Sequence, residues 1–470
     1  MKTTKIIATA LFLSAIALNV NAQRAKDGGI SSDMMKELSA KSIGKSQAET
    51  ALHNAIMNNS IDVLAKGKAQ LMEVPQEFSV STPSQSIMDQ KSSGRCWMFS
   101  GLNTLRANFA LNNEGKAVEF SQDYLFFYDQ LEKSNLFLQS VIDTGKKDFL
   151  NADVQFLFKN PINDGSTFCG VADLVEKYGL VPKCVMPESF SAENTSRMRA
   201  IIASKLREYG LKLRKMIAEG KKPAAVMSAK KDMLGSIYHI LELTLGTPPT
   251  EFTYAHRDKD GKTVGEAKTY TPLSFAEECG AKELNGTFVM LMNDPRHEYY
   301  KLFEVELDRH TYDGHNWQYV NLPMEDIEAI AIQALKDGKK MYSSYDVGKL
   351  LDRTRGFCSL DNFDYASLFQ TEFPMTKAER ISTFDSGSTH AMTLTAVNLD
   401  ADGKPTAWKV ENSWGASHGQ KGCLVMTADW FREYMFRLVV DKKYANEKIL
   451  DVLKQKPSIL TYDDPLFIDE

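Results

Sequence analysis

The apolar pattern of this chain changes period part-way along, and that change restricts its architecture more than any other feature. Through the first two thirds, apolar residues recur at helical spacing. They do so in "AETALHNAIMNNSIDVLAKG" within residues 30–70, along the stripe Phe99, Leu102, Leu105 and Phe109, and over Phe168–Tyr178, Arg197–Ala218 and Met324–Asp337. Between Thr389 and Val440 short alternating or β-branched runs take over, broken by "DADGKP", and read as antiparallel strands. No internal repeat, low-complexity tract or long linker separates the two regimes. Helices first and strands later predict an α+β fold in which a helical part faces a sheet part.

The opening "MKTTKIIATALFLSAIALNVNAQ" has Lys2 and Lys5, an apolar run from Ile6 to Leu18, and small or polar residues up to Ala22. That is the layout of a secretory signal cleaved after Ala22, the apolar run being too short to span a bilayer. The expectation is an exported protein, periplasmic or secreted, with residues 1–22 removed and no membrane anchoring afterwards. The remaining 470 − 22 = 448 residues allow more than one compact layer or domain. Losing the two lysines takes the net charge from −5 to −7, which gives no general pull toward nucleic acid or anionic lipid. The densest basic run, Leu211 to Asp232, reads as the solvated face of helices.

Six cysteines are present: Cys96, Cys169, Cys184, Cys279, Cys358 and Cys423. Export permits disulfides, but a chain this long does not need them as a framework. No pair has C-x-x-C spacing, and the histidines form no H-E-x-x-H cluster, so neither a metal nor an organic cofactor is expected.

In "QKSSGRCWMFSGLNTLR", Gln90 to Arg106, Cys96 stands between a Gly/Ser loop and an apolar run of helical spacing. A helix beginning at Cys96 would aim its unpaired first-turn N–H groups and its dipole at the sulfur, stabilising a thiolate. Gly94 would leave room for close approach. The stretch alone leaves three readings open: a small buried hydrophobe, half of a disulfide, or a nucleophile.

A cysteine nucleophile needs a base, and the base needs an orienting group. In "STHAMTLTAVNLDADGKPTAWKVENSWG" two strands flank the turn "DADG". A hairpin centred near residue 401 pairs residue i with 802 − i, so His390 would face Asn412, within about 5 Å. Asn412 could then hold one imidazole nitrogen and leave the other for Cys96. Trp414 would lie on the same strand face and shield that bond, and Gln90 could join the Cys96 N–H as an oxyanion donor.

Gln90, Cys96 with Trp97, His390, and Asn412 in "NSWG" resemble the four-part site of papain-like cysteine proteases. "DQKSSGRCWMFSGLNTLR", "PINDGS", "VEKYGLVPKCVMPES", "DPRHEYYKLFEVE", "YDVGK", "STHAMTLTAV", "KVENSWG" and "DWFREY" resemble, in order, the bleomycin hydrolase or aminopeptidase C branch. The likeness runs from about Ile30 to the C-terminus. Cys96 and His390 are 294 residues apart, against roughly 130 to 150 in papain, so an enlarged version is expected with a helical insertion around residues 190–250.

The resemblance implies a two-lobed papain-like fold, a helical lobe plus an antiparallel β lobe. It further implies an N-terminal helical or hook segment over residues 23–75, a catalytic domain over 76–455, and a C-terminal arm over 456–470 entering the cleft. The terminal carboxylate, here on Glu470, would meet the substrate's α-ammonium. Asn163, Asp164 and Gly165 would contact substrate, with Gly165 bonding its backbone. A homohexameric cage acting on peptides completes that picture; some family relatives bind nucleic acid, but the acidic charge and exported location argue against such a partner here. Two departures stand out: "LFIDE" ends the chain with acids, and Ser166, Thr167 and Phe168 follow Gly165 where a glycine, a glutamine and a tryptophan are expected. The activity expected is an aminopeptidase using Cys96, His390, Asn412 and Gln90. An endopeptidase, an acyl-transferase and a non-catalytic binding or assembly protein are the alternatives.

Overall fold

The computed structural model describes residues 28–41 and 46–467. The expected signal segment, residues 1–22, and Glu470 lie outside them. The chain divides into two compact units, and the smaller comprises residues up to Lys66 with Ser367–Phe369. It holds helices Ser32–Lys41, Gln47–Asn58 and Ile61–Leu64. The second of these starts on a capping box in which Ser46 and Glu49 satisfy each other's backbone N–H groups.

The larger unit carries the expected α+β architecture. Its helical part contains α1 (Cys96–Asn112), α2 (Gln122–Asp143), α3 (Phe168–Tyr178), α4 (Thr195–Ala218) and α5 (Pro223–Leu245). Helices α4 and α5 occupy the region where a helical insertion is expected. Both pack on α2, with Ile202, Leu206 and Leu213 of α4 and Ile237 and Leu241 of α5 turned inward. Helix α1 is buried almost all round, from Trp97 to Arg106 and again at Phe109, because it lies between the other helices and the sheet.

The sheet is more extensive than the sequence pattern predicts. Among the described residues it has twelve strands. Those used below are β1 (Phe288–Met292), β2 (Lys301–Val305), β3 (Gln318–Asn321), β4 (Met341–Tyr345), β5 (His390–Leu399), β6 (Pro405–Glu411), β7 (Cys423–Thr427), β8 (Met435–Asp441) and β9 (Ser458–Leu460). Their order across the sheet is β9-β2-β3-β1-β8-β4-β5-β6-β7. Most pairs are antiparallel, but β1 with β3 and β9 with β2 are parallel. The region 389–440 is also not all strand. Helix Ala428–Tyr434 interrupts it, capped by the Thr427 side chain on Trp430 N–H.

Alternation along the strands decides which lobe each side chain meets. Ala391, Tyr342 and Val439 pack with α1 and the helical core, whereas Met392, Leu394, Tyr345 and Leu438 pack on the opposite face with Trp408, Trp430 and Phe431. The β5–β6 hairpin turns where expected. Asp400 accepts from Asp402 and Lys404 N–H, and Gly403 adopts φ +79°, which favours glycine.

The register differs from the simple estimate. Thr393 faces Glu411, so the hairpin centres near 402 instead of 401, and a bulge follows between Leu394 and Ala396. Extrapolated, that register sets His390 opposite Trp414. Asn412 stands on the diagonal instead, just past the end of β6.

Candidate active site

The site is built where the N-terminus of α1 meets the first residue of β5. The loop ahead of α1 is fastened from three sides. Gln90 N–H donates to Ser413 O at 2.8 Å. Arg95, fully buried, holds Glu188 through both terminal nitrogens at 3.2 and 2.6 Å. Gly94 N–H donates to Asp164 Oδ2 at 2.8 Å. Trp97 Nε1 donates to Asp164 O at 2.8 Å, so the residue after the cysteine is tied to the same strut. Cys96 is the first helical residue, half-buried, with no side-chain cap in front of it. The first-turn N–H groups and helix dipole therefore act at its sulfur.

Across the cleft, Ala391 N–H lies 3.5 Å from Cys96 Sγ, which places the start of β5 against the sulfur. His390 Nε2 is 2.8 Å from Asn412 Oδ1. Ser413 N–H donates to that same Oδ1 at 2.7 Å, which fixes the amide's orientation. An amide oxygen only accepts, so Nε2 carries the ring hydrogen and Nδ1 presents its lone pair. Trp414 lies over the imidazole with ring centroids 4.9 Å apart. Burial pushes His390 down to about 4; the Asn412 bond opposes this and the Arg353 charge adds to it. Against a neutral thiol the imidazole is thus a neutral acceptor. A thiolate at Cys96 would supply the opposite charge that raises it again.

Gln90 Oε1 accepts from Ser413 Oγ at 2.6 Å and Nε2 donates to Ser93 O at 2.6 Å. That uses one of the two amide hydrogens and holds the group at the cleft wall. Gln90, Cys96, Asn163, Asp164, Gly165 and His390 line one cleft, together with Arg199 and Arg437.

Asp164, which lines that cleft, is also held by the protein itself. Its carboxylate accepts from Gly94, Thr195 and Arg199. Burial would raise its pKa, but those partners outweigh burial and hold it below the usual carboxylate range. The space a Cβ at Gly94 would take, where close approach of backbone or substrate is expected, is filled by this side chain. Asn163 O accepts from Gln130 and Lys133, and Gly165 O accepts from Lys133 Nζ at 2.9 Å. Lys133 is in turn paired with buried Asp129 at 3.0 Å, which also bonds His310. Sequence reasoning missed Ser413 and Lys133; the first adjoins Asn412 in "NSWG", and the second carries no local signal.

The arm is packed through residue 467. Strand β9 pairs with β2, Tyr462 lies against Phe156, and Leu466 is buried. Phe467 meets Trp317 edge-on at 5.3 Å. Among the described residues, no group of three or more His, Cys, Asp and Glu side chains is arranged to hold a metal ion.

The Peptidase C1-like family model matches residues 29–467. The chain belongs to that family. It is 37% identical to human bleomycin hydrolase over 448 residues, covering 93% of this chain and 98% of the relative. It is 36% identical to aminopeptidase C of Streptococcus thermophilus, covering 88% and 94%. Among solved structures, PepW of Lactobacillus rhamnosis superposes with a TM-score of 0.87 at 36% identity, covering 94% of this chain and 99% of that one. The expected resemblance and the papain-like fold are therefore both found.

Proposed function

We propose that this chain is an exported cysteine aminopeptidase that removes residues from the N-termini of peptides. The observation that carries the reading is the His390 Nε2–Asn412 Oδ1 bond at 2.8 Å beside a cysteine whose sulfur lies 3.5 Å from Ala391 N–H. It unites a nucleophile at a helix N-terminus, a base with its lone pair toward the cleft, and an orienting amide. Relatives named bleomycin hydrolase and aminopeptidase C support the reaction class.

His390 Nδ1 takes the Cys96 proton, and the sulfur bonds the scissile carbonyl carbon. The oxyanion is met by the Cys96 N–H and the second Nε2 hydrogen of Gln90. The C–N bond breaks as His390 returns the proton to the leaving amine. Water, deprotonated by His390, then attacks the thioester; the C–S bond breaks and the thiol re-forms. Asn412 keeps the ring in the useful tautomer, and Trp414 covers the bond that does so. Gly165 offers its N–H to the substrate backbone. The arm closes the cleft beyond the first substrate residue, with Glu470 supplying the carboxylate for the α-ammonium. A hexameric assembly and a periplasmic or secreted location belong to the same proposal.

The test is hydrolysis of aminoacyl fluorogenic amides beside their N-acetylated counterparts. Free-amine substrates should be turned over, acetylated ones spared, and Cys96→Ala inactive. Equal cleavage of both series would make the protein an endopeptidase, and iodoacetamide labelling without any turnover would make it a binding protein.

A further inference from the structure

One turn of α2 meets the cleft loop from behind and takes no part in the chemistry above. Lys133 on that turn is buried, and its ammonium has three acceptors: Asn163 O at 3.3 Å, Gly165 O at 2.9 Å and Asp129 Oδ2 at 3.0 Å. Each of its hydrogens therefore has a partner. Gln130 Nε2 donates to Asn163 O beside it at 2.9 Å. The counter-ion belongs to the same turn. Burial would raise the Asp129 pKa, but Lys133 and His310 outweigh it and hold the carboxyl below the usual range. His310 Nδ1 lies 2.6 Å from Asp129 Oδ1, and burial pushes its own pKa down, so the ring is neutral and the lysine and aspartate charges cancel. Asp129 thus satisfies the charge of Lys133, and the two remaining donors are aimed at the main chain of the loop.

The two carbonyls they reach flank a third. Asp164 O, between them, accepts from Trp97 Nε1 at 2.8 Å. The Trp97 ring in turn packs on the cluster, with Lys133 Nζ 5.6 Å and the His310 ring 5.2 Å from its centroid. Three successive peptide planes are therefore held by their oxygens. A trans peptide directs its N–H opposite its C=O, so Gly165 N–H, which shares the middle plane with Asp164 O, is turned away from Trp97. The middle plane can rotate only if the dihedrals on either side adjust, and one ammonium pins the planes on both sides.

We propose that Lys133 is the positioning residue of the substrate-binding loop: its ammonium, clamped on Asn163 O and Gly165 O, fixes the plane whose Gly165 N–H meets the substrate backbone. Lys133 touches neither substrate nor sulfur, and acts through Gly165. The proposal rests on the peptidase reading.

The experiment measures kcat and KM on an N-terminal Leu amide, Tm, and the rate of Cys96 alkylation by iodoacetamide, in the full chain. It compares wild type, Lys133→Met, Lys133→Arg and the double variant Lys133→Met/Asp129→Asn. Iodoacetamide is small and needs only the sulfur, so it reports the nucleophile independently of the loop. Lys133→Met should raise KM at least tenfold, with kcat within about threefold of wild type and alkylation unchanged. Lys133→Arg, which offers donors to both carbonyls, should recover part of the loss. The double variant removes the stranded Asp129 charge, so Tm should return toward wild type while KM stays raised. Wild-type KM in either methionine variant overturns the proposal. So does a KM that recovers together with Tm in the double variant, since the lysine would then serve the fold alone. A fall in kcat with slower alkylation also overturns it, because Lys133 would then be positioning the sulfur. If the wild type turns over no amide although Cys96 is labelled, the peptidase reading fails by itself. Lys133 is then read through protection of Cys96 from iodoacetamide by the peptide Leu-Gly-Gly: protection weakened at least tenfold in the double variant supports the positioning role, and equal or absent protection overturns it.

Discussion

Arg296 and Asp464 clasp the C-terminal arm to the body of the larger unit: Nη2 of Arg296 is 2.7 Å from Asp464 Oδ1, and the same nitrogen is 2.7 Å from Asp294 Oδ2. All three side chains are nearly buried, and neutralising Asp464 leaves Arg296 paired with Asp294 while weakening its charge-assisted bond to the arm, a loss of about 2 kcal/mol. Asp464→Asn should loosen the arm and open the cleft to blocked substrates. The measurement is the cleavage ratio of N-acetylated to free-amine peptides, which should rise at least tenfold. An unchanged ratio would show that the clasp does not govern access.

The clasp also has a pH signature. Burial raises the Asp464 pKa, but His297, Arg296 and the Leu466 N–H outweigh it and hold the carboxyl below its ordinary range. A depressed folded pKa means the contribution is fully present above the unfolded value and is lost as pH falls through the folded one. The acetylated-to-free ratio of the wild type should therefore stay flat from neutrality to about pH 4 and rise only below it. Asp464→Asn should show no such step.

Asn412→Ala removes the acceptor that keeps hydrogen on His390 Nε2. The ring can then adopt the other tautomer, with Nδ1 protonated and useless as an acceptor for the thiol. The expected result is a fall in kcat on the order of a hundredfold with KM little changed. A loss confined to KM would place Asn412 in substrate binding instead.

How much of this was legible beforehand depended on the range of the contacts. Cys96, His390 and Asn412 could be read because each carries a local signal: a helix start, a strand start, and a motif beyond a recognisable turn. The hairpin estimate placed Asn412 opposite His390 when it is diagonal to it, because the turn centres one residue later and β5 bulges after Leu394. The contact survives because diagonal neighbours on one sheet face remain within reach of an imidazole. The strut role of Asp164 was not legible for a different reason. Its partners Gly94, Thr195 and Arg199 lie 70, 31 and 35 residues away, and no periodicity reports such pairings. Strands β1 to β3 were missed because each is only four or five residues long.

His390 should titrate unusually low when the opposing sulfur is removed. In Cys96→Ala, burial and the Arg353 charge are unopposed by a thiolate, so an imidazole pKa of about 4 is expected. The unfolded chain has an ordinary histidine near 6.5. Between those values the unfolded state binds more protons, so this group's contribution is present above about pH 6.5 and fades as pH falls toward 4. NMR of ring-labelled histidine in Cys96→Ala would read the value directly. A midpoint near 6.5 would mean that the ring is more solvated than its position implies.

Gly94→Ala tests the strut beneath the nucleophile. A Cβ at residue 94 would stand 2.6 Å from Asp164 Oδ1 and 2.8 Å from its Cγ, closer than real contacts allow. The intruding atom is small, but the carboxylate cannot retreat without giving up the Gly94 N–H, Thr195 or Arg199, all of which it holds at once. Moving it also shifts the main-chain oxygen that anchors Trp97, and with it the first turn of α1. The expected cost is about 1 to 3 kcal/mol in urea unfolding, the range for overpacking at a tight site. Because the displaced turn carries Cys96, kcat should fall by more than the folded fraction accounts for, on the order of a hundredfold for a shift of about 1 Å. Arg199→Met offers the comparison: it frees one side of Asp164 without forcing the loop, so it should lower stability while leaving most of kcat. If Gly94→Ala turned over substrate at the wild-type rate, the Asp164 strut would be holding the fold alone and not the sulfur's position.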